Sequence, residues 1–310
     1  MTIRAEPIAL GVAGYGRWGR HIVRDLLDLG IEVHVADIAD AARSAALTAG
    51  ACSAVARADH LPEVDGYVVS CLTTHHAEVA EMLVPRRRPI FVEKPLTADV
   101  ASARRLVEMG PEQIFVMEKW RYHPAIEALA GKVRSGSLGD VLAVRTFRLD
   151  RGDPHKDVDS SWILLPHDLA IAHEIMGFLP PASVALCTVP GRNSSDLIAV
   201  LRKDGEPFSL TAEISISHPV SRRIVVVIGT EGCAQFDAAD ATRIQHLSGQ
   251  PGDWAAEPCY TVVGSRMPLR EELKAFIGHV RGGPPPRASV HDGLLVVERI
   301  AQLRELARLQ

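Results

Sequence analysis

Ile8-Ala9-Leu10-Gly11-Val12-Ala13-Gly14-Tyr15-Gly16-Arg17-Trp18-Gly19 is the stretch on which the fold turns. Its first six residues form a short apolar run. A G-x-G-x-x-G hexamer follows from Gly14 to Gly19, and a helical pattern runs from Trp18 to Leu29. A glycine hexamer alone is a weak signal, but between a strand and a helix it has the context of a dinucleotide-binding loop. Gly14 permits the tight turn, Gly16 lets the backbone approach a pyrophosphate, and Gly19 lets the helix pack close to the strand. The helix start adds unsatisfied N–H groups and the positive end of the helix dipole. Asp37 ends the next apolar run, Ile31 to Ala36, and lies 18 residues beyond Gly19. A carboxylate there accepts hydrogen bonds from the adenosine ribose and repels a 2′-phosphate. NAD is therefore expected ahead of NADP, with Arg43 the nearby cation that works against that preference. The alternative for Asp37 is a cap on the helix after it.

Outward from this loop, strand-like and helix-like runs alternate. Tyr67 to Cys71, Ile90 to Val92 and Ile114 to Met117 are short apolar runs, and Asp40 to Ala49, His76 to Val84 and Thr97 to Met109 read as helices. Such alternation implies βαβ units and a parallel sheet. From about residue 140 the pattern changes to consecutive strand-like runs: Val141 to Leu149, Ser183 to Val189, Leu197 to Arg202, Phe208 to Ser217 and Arg223 to Ile228. In Leu210-Thr211-Ala212-Glu213-Ile214 the apolar residues fall on alternate positions, as in a strand with one buried face. Helices are expected near Pro166 to Met176, Leu269 to Val280 and His291 to Ala307. The fold class is α/β. Residues 1–120 are expected to form a Rossmann domain and residues 121–310 an α+β domain with a large, mostly antiparallel sheet.

Composition narrows the function. With 310 residues, 47% apolar and 23% charged, the chain has the make-up of a globular protein with two cores. A net charge of −4 argues against a partner bound through its phosphates, so no nucleic acid is expected. No run approaches the ~18 apolar residues of a membrane span. The five cysteines are scattered, odd in number and without a C-x-x-C, which suits reduced thiols in the cytoplasm and predicts no metal site. His75 and His76 are adjacent on a helix, about 100° apart, and cannot easily chelate one ion.

Phe91-Val92-Glu93-Lys94-Pro95-Leu96 follows a strand of the parallel sheet, at the edge where ligands bind. With the segments Ser70 to Glu78, Arg121-Tyr122-His123-Pro124, Ser135 to Gly139, Lys156 to Leu169 and Pro268 to Leu294, this motif makes nearly the whole chain resemble the glucose–fructose oxidoreductase, inositol dehydrogenase and rhizopine-catabolism family (Gfo/Idh/MocA), with the sugar-nucleotide branch nearest in pattern. The resemblance implies hydride transfer between NAD and a secondary alcohol or ketone of a sugar, sugar nucleotide or cyclitol. It makes Lys94 and His167 catalytic. It puts Tyr15, Arg17, Trp18, Cys71, Leu72, Thr73, His76, Glu93, Lys94, Pro95 and Arg121 at the coenzyme with the three glycines and Asp37. Lys94, Tyr122, Trp162 and Asp168 fall to the substrate. A homodimer or homotetramer is also implied, with the second domain binding substrate and mediating oligomerisation.

One position departs from the family. Its usual W-D-L-x-P-H-D reads here Trp162-Ile163-Leu164-Leu165-Pro166-His167-Asp168, so Ile163 stands where an aspartate is usual. Asp168, Asp159 or Asp157 could substitute, or Lys94 and His167 could suffice. Two other functions stay open: a catalytically silent NAD- and sugar-binding regulatory protein, and an NAD-dependent glycosidase. The residues also have plainer readings. Lys94 could pair with Glu93 or a phosphate. His167 could be a satisfied helix-end histidine, and Asp168 could compensate a helix dipole. The charged loop from Arg151 to Asp159 leads into the His167 segment and suggests the rim of a substrate site.

Overall fold

The computed structural model describes residues 8–152, 157–189, 196–255 and 257–309. These fall into two compact units. The first runs to Glu118 and also takes in Leu269–Val297, a segment the sequence reading had placed in the C-terminal domain. The second comprises Lys119–Pro268 and the residues from Glu298 onward.

In the first unit the chain alternates β1 (Ala9–Ala13), α1 (Arg17–Asp28), β2 (Glu32–Ala36), α2 (Asp40–Thr48), β3 (Ser53–Val55), β4 (Gly66–Val69), α3 (His76–Leu83), β5 (Ile90–Glu93), α4 (Val100–Met109) and β6 (Ile114–Met117). All six strands are parallel, in the order β3-β2-β1-β4-β5-β6. β4, β5 and β6 are buried along their whole length, as strands covered on both faces must be, which explains their near-continuous apolar sequence. Helix α1 turns Ile22, Val23 and Leu26 onto the sheet, all fully buried. Each such side chain contributes about 1.5–3 kcal/mol by leaving water. The strand order reverses between β1 and β4, and the loops after those strands form the ligand crevice of a doubly wound sheet.

The second unit holds α5 (Pro124–Arg134), β7 (Val141–Arg151), α6 (Ser160–Met176), β8 (Ala182–Val189), β9 (Asp196–Arg202), β10 (Ser209–Ser215), β11 (Ser217–Gly229), β12 (Gly232–Asp237), β13 (Arg243–Gln250), β14 (Asp253–Trp254) and β15 (Cys259–Val262). Its sheet runs β14-β13-β12-β11-β7-β10-β9-β8, with β15 on β13. Among its described residues only β7 and β10 pair in parallel. Helix α6 lies against β7, β9 and β10 and packs on α5. The alternation read in the sequence is present in β10, with Leu210, Ala212 and Ile214 inward.

Two expectations need correcting here. The run Phe208 to Ser217 is not one strand. The Ser215 hydroxyl donates to Asp196 Oδ2 at 2.7 Å and the Ile216 N–H donates to Oδ1 at 2.9 Å, so buried Asp196 fixes a break that ends β10 and starts β11. The helix placed at Pro166 to Met176 begins six residues earlier, at Ser160. Asp159 caps it by accepting from the Ser161 N–H at 2.9 Å. Pro166 therefore lies inside the helix, where its ring removes the N–H that would bond the Trp162 carbonyl.

The last two helices are α7 (Pro268–Val280) and α8 (Val290–Leu306). Phe276 of α7 stacks on Phe91 of β5 with centroids 4.8 Å apart, and both rings are fully buried, so this helix is part of the first unit's core.

Candidate active site

The glycine loop is shaped by what surrounds it. Gly14 has φ +104°, a left-handed conformation that favours glycine, and a Cβ there would lie 2.5 Å from the Cys71 nitrogen at the end of β4. The Ser70 hydroxyl donates to the Gly14 carbonyl at 2.9 Å and sews the two loops together. At Gly19 a Cβ would meet the Gly14 carbonyl oxygen at 2.1 Å, so the first turn of α1 rests on the loop itself. Gly16 differs: nothing lies within 4 Å of the position a Cβ would take. It is the N-cap residue of α1 and makes no side-chain cap, so the helix's first N–H groups face outward beside open space. That is a cradle for a pyrophosphate. Arg17 is exposed at the first helical position, and Trp18 is half-buried behind it.

Asp37 leaves β2 at the same sheet edge. Its Oδ2 accepts the Tyr15 N–H at 2.7 Å and its Oδ1 accepts the Ala39 N–H at 2.8 Å. The cap of α2 is Ala39, so Asp37 makes a local turn and does not cap that helix. Each carboxylate oxygen keeps a second lone pair for a ribose hydroxyl. Arg43, the cation that left NADP open, is committed elsewhere. It donates to the carbonyls of Asp37 (2.8 Å) and Ile38 (3.0 Å) and pairs with Asp40. Those residues fit NAD.

Lys94 follows β5 directly and is half-buried. Its N–H donates to Glu93 Oε2 at 2.9 Å, and the peptide to Pro95 is cis. The buried imidazole of His76 meets the Pro95 carbonyl with Nδ1 at 2.9 Å and the Cys71 carbonyl with Nε2 at 3.3 Å. It thus ties the loop after β4 to the loop carrying Lys94. The resemblance placed His76 at the coenzyme; in the structure its ring nitrogens are turned onto backbone carbonyls. Cys71 is half-buried and Thr73 is buried. Leu72 is 57% exposed and Ile38, next to Asp37, is 90% exposed.

The second unit carries the other candidates. Trp162 and Tyr122 are buried, and His167 is half-buried on α6. Arg121 pairs with Glu174 of α6 at 2.9 Å. Asp168, placed at the substrate by the resemblance, is instead buried in a two-armed ion pair with Arg148 of β7, at 2.9 and 3.3 Å. Successive helical residues point about 100° apart, so with His167 on one side of α6 Asp168 turns into the interior. Ile163 is buried as well. Of the carboxylates that could replace the missing aspartate, Asp168 is in this pair, and Asp159 caps α6 and pairs with Arg304 at 2.9 Å. Asp153, His155 and Lys156 of the charged loop lie outside the described residues.

Residues 8–116 match the model of the Gfo/Idh/MocA oxidoreductase family, described as having an NAD-binding Rossmann fold. Myo-inositol 2-dehydrogenase of Thermotoga maritima is 26% identical over 253 residues, 76% of this chain and 75% of that one. Among solved structures, levoglucosan dehydrogenase in complex with NADH and levoglucosan superposes with a TM-score of 0.84 at 15% identity, covering 98% of each chain. UDP-N-acetylglucosamine 3-dehydrogenase GnnA from Acidithiobacillus ferrooxidans does so with 0.83 at 21%, covering 97% of this chain and 98% of its own. At those identities the structural likeness is one of fold. Sheet order, glycine cradle and matched domain together define an NAD-dependent oxidoreductase. That domain, residues 8–116, is similar to the Gfo/Idh/MocA family.

Proposed function

We propose that this protein interconverts a secondary alcohol and a ketone on a sugar, sugar nucleotide or cyclitol, using NAD. The observation that carries this reading is the placement of Lys94. It stands one residue beyond β5, at the sheet edge that also bears the Gly16 cradle, on a loop clamped by Glu93 and His76. NAD, when bound, supplies the acceptor or donor of hydride. The Lys94 ammonium serves as hydrogen-bond donor to the reacting oxygen, steadying negative charge there as the hydroxyl proton leaves. His167 is the second catalytic candidate, as a proton carrier. Tyr122 and Trp162 remain candidates for holding the sugar. The wide use of hydroxylated rings among the similar proteins, from inositol to levoglucosan, supports the substrate class.

The test is NADH formation by purified protein with NAD and a panel of cyclitols, sugars and sugar nucleotides. Lys94→Ala should lower kcat by about 100-fold or more while NAD affinity holds. An unchanged kcat removes Lys94 from the chemistry. If Lys94→Ala and His167→Asn act on one step, the double variant will lose much less than the product of the two.

Ile163 favours a second reading, a binding protein without catalysis, because Asp159 and Asp168, two of the three carboxylates that could stand in for the usual aspartate, are held in ion pairs. In that case NAD raises the melting temperature and no substrate in the panel turns over. We also propose a homodimer or homotetramer in the cytoplasm. Exposed Val184, Leu186 and Val189 on edge strand β8 and Val262 on β15 support the assembly, and the cysteines form no disulfide among the described residues.

A further inference from the structure

A cluster of metal-ligating side chains stands on the outer strands of the parallel sheet, and no part of the dehydrogenase reading uses it. Glu32 and His34 are two apart on β2 and so project from the same face. Cys52 immediately precedes β3, and its N–H donates to the Val33 carbonyl at 2.8 Å, which places its backbone beside β2 between the two. One ligand atom from each residue, a carboxylate oxygen of Glu32, a ring nitrogen of His34 and the Cys52 sulfur, lies within 4.8 Å of the other two. His34 Nδ1 is held by Ser53 Oγ at 2.8 Å. That contact orients the ring and leaves Nε2 for a metal, the outer-sphere arrangement by which ligating histidines are usually aimed.

From this geometry we propose that Glu32, His34 and Cys52 form a zinc site. Sulfur, nitrogen and oxygen donors together are the set zinc prefers, and three protein ligands with a water complete a tetrahedron. Magnesium and calcium call for mostly oxygen donors and are excluded on that ground. Glu32 and Cys52 are exposed and His34 half-buried, so the side chains have room to close the remaining distance around the ion. On binding, the Cys52 thiol enters as thiolate and its proton goes to solvent. β3 has three residues, the shortest strand of this sheet, and lies at the sheet edge, so an ion here staples that edge to β2. The pattern escaped the sequence because the donors come from two strands and include no C-x-x-C.

The experiment is titration of the chelator-washed full chain with Co2+ and with Zn2+. We expect one Co2+ per chain with a thiolate-to-cobalt absorption band, displaced by Zn2+, and a melting temperature raised by about 2–4 °C at saturating Zn2+. Cys52→Ser should abolish the band and the shift, and His34→Ala should weaken binding at least tenfold. Cys259→Ser, an exposed cysteine outside the cluster, should change neither. A missing band, a band that survives Cys52→Ser, or a band lost equally in Cys259→Ser overturns the site. None of these readouts needs turnover or NAD, so the result is independent of the dehydrogenase assignment.

Discussion

The glycine loop of the first unit and helix α6 of the second are seated by different physics. The loop is fixed by backbone: close approach of Gly14 to Cys71 and of Gly19 to the Gly14 carbonyl, with Ser70, Asp37 and His76 bonded to main-chain groups around it. Helix α6 is fixed by side-chain charges. Asp168 takes Arg148, Glu174 takes Arg121, and Asp159 at its cap takes Arg304. An anion cradle needs outward-facing N–H groups and no intervening Cβ, so glycine geometry decides it. A helix packed on a sheet needs its azimuth set, and directional ion pairs do that.

The contrast breaks most sharply at Arg148. Arg148→Ala leaves the Asp168 carboxylate buried without its cation, which should cost about 3–5 kcal/mol in urea unfolding. Replacing both by apolar residues, Arg148→Met with Asp168→Leu, should recover most of that loss. A single variant as stable as the wild type would show that charge does not seat α6.

On the loop side, Gly19→Ala and Gly16→Ala should separate packing from ligand room. The Gly19 substitution forces a Cβ onto a backbone oxygen that cannot yield, for a loss of about 2–3 kcal/mol and most NAD affinity. The Gly16 substitution meets no protein atom, so stability should stay within about 0.5 kcal/mol while NAD binding weakens at least tenfold. Calorimetric titration with NAD beside thermal unfolding reads both. Equal effects on stability from the two alanines would remove the cradle argument.

This contrast also explains what was legible in the sequence. The first unit could be read because its constraints are local: Gly14, Gly16 and Gly19 fall within one hexamer, and Lys94 lies in a motif ending a buried strand. The second unit's strands β7 to β11 showed in runs of apolar residues, but β12 to β15 did not. In Gly232-Cys233-Ala234-Gln235-Phe236-Asp237 only Ala234 and Phe236 are apolar and fully buried, too few to mark a strand. The true start of α6 was hidden because Pro166 looks like a first-turn residue, whereas the cap at Asp159 is confirmed by Arg304, 145 residues away. The fate of Asp168 depended on Arg148, and nothing in the composition of either segment announces that partner.

A smaller effect tests whether His76 positions Lys94. Loss of its bond to Pro95 in His76→Ala should lower kcat about tenfold with little change in NAD affinity, and His76→Gln, which keeps a donor, should restore part of it. If NAD affinity falls in step with kcat, His76 acts on the coenzyme and not through the lysine loop.

The smallest effect belongs to His123, the histidine that caps α5. Its Nδ1 accepts the Ala125 N–H at 3.2 Å, while its ring stacks on Trp120 at 4.9 Å and lies 5.0 Å from Phe236. Burial lowers its pKa from the ordinary 6.5 to about 4, against a weaker upward pull from Glu127. The unfolded chain therefore binds this proton more readily than the folded one between those two values. Stability falls as pH drops through that window and is untouched above about 6.5. Protonation also converts the capping acceptor into a donor and breaks the bond to Ala125. Because the ring is only partly buried, screening trims the full linkage to about 1 kcal/mol. Urea midpoints measured across the window should drop for the wild type by that amount more than for His123→Asn, which caps a helix without titrating. Parallel pH profiles for the two proteins would mean that the imidazole is as readily protonated in the folded chain as in the unfolded one, and that the aromatic enclosure around it is open to water.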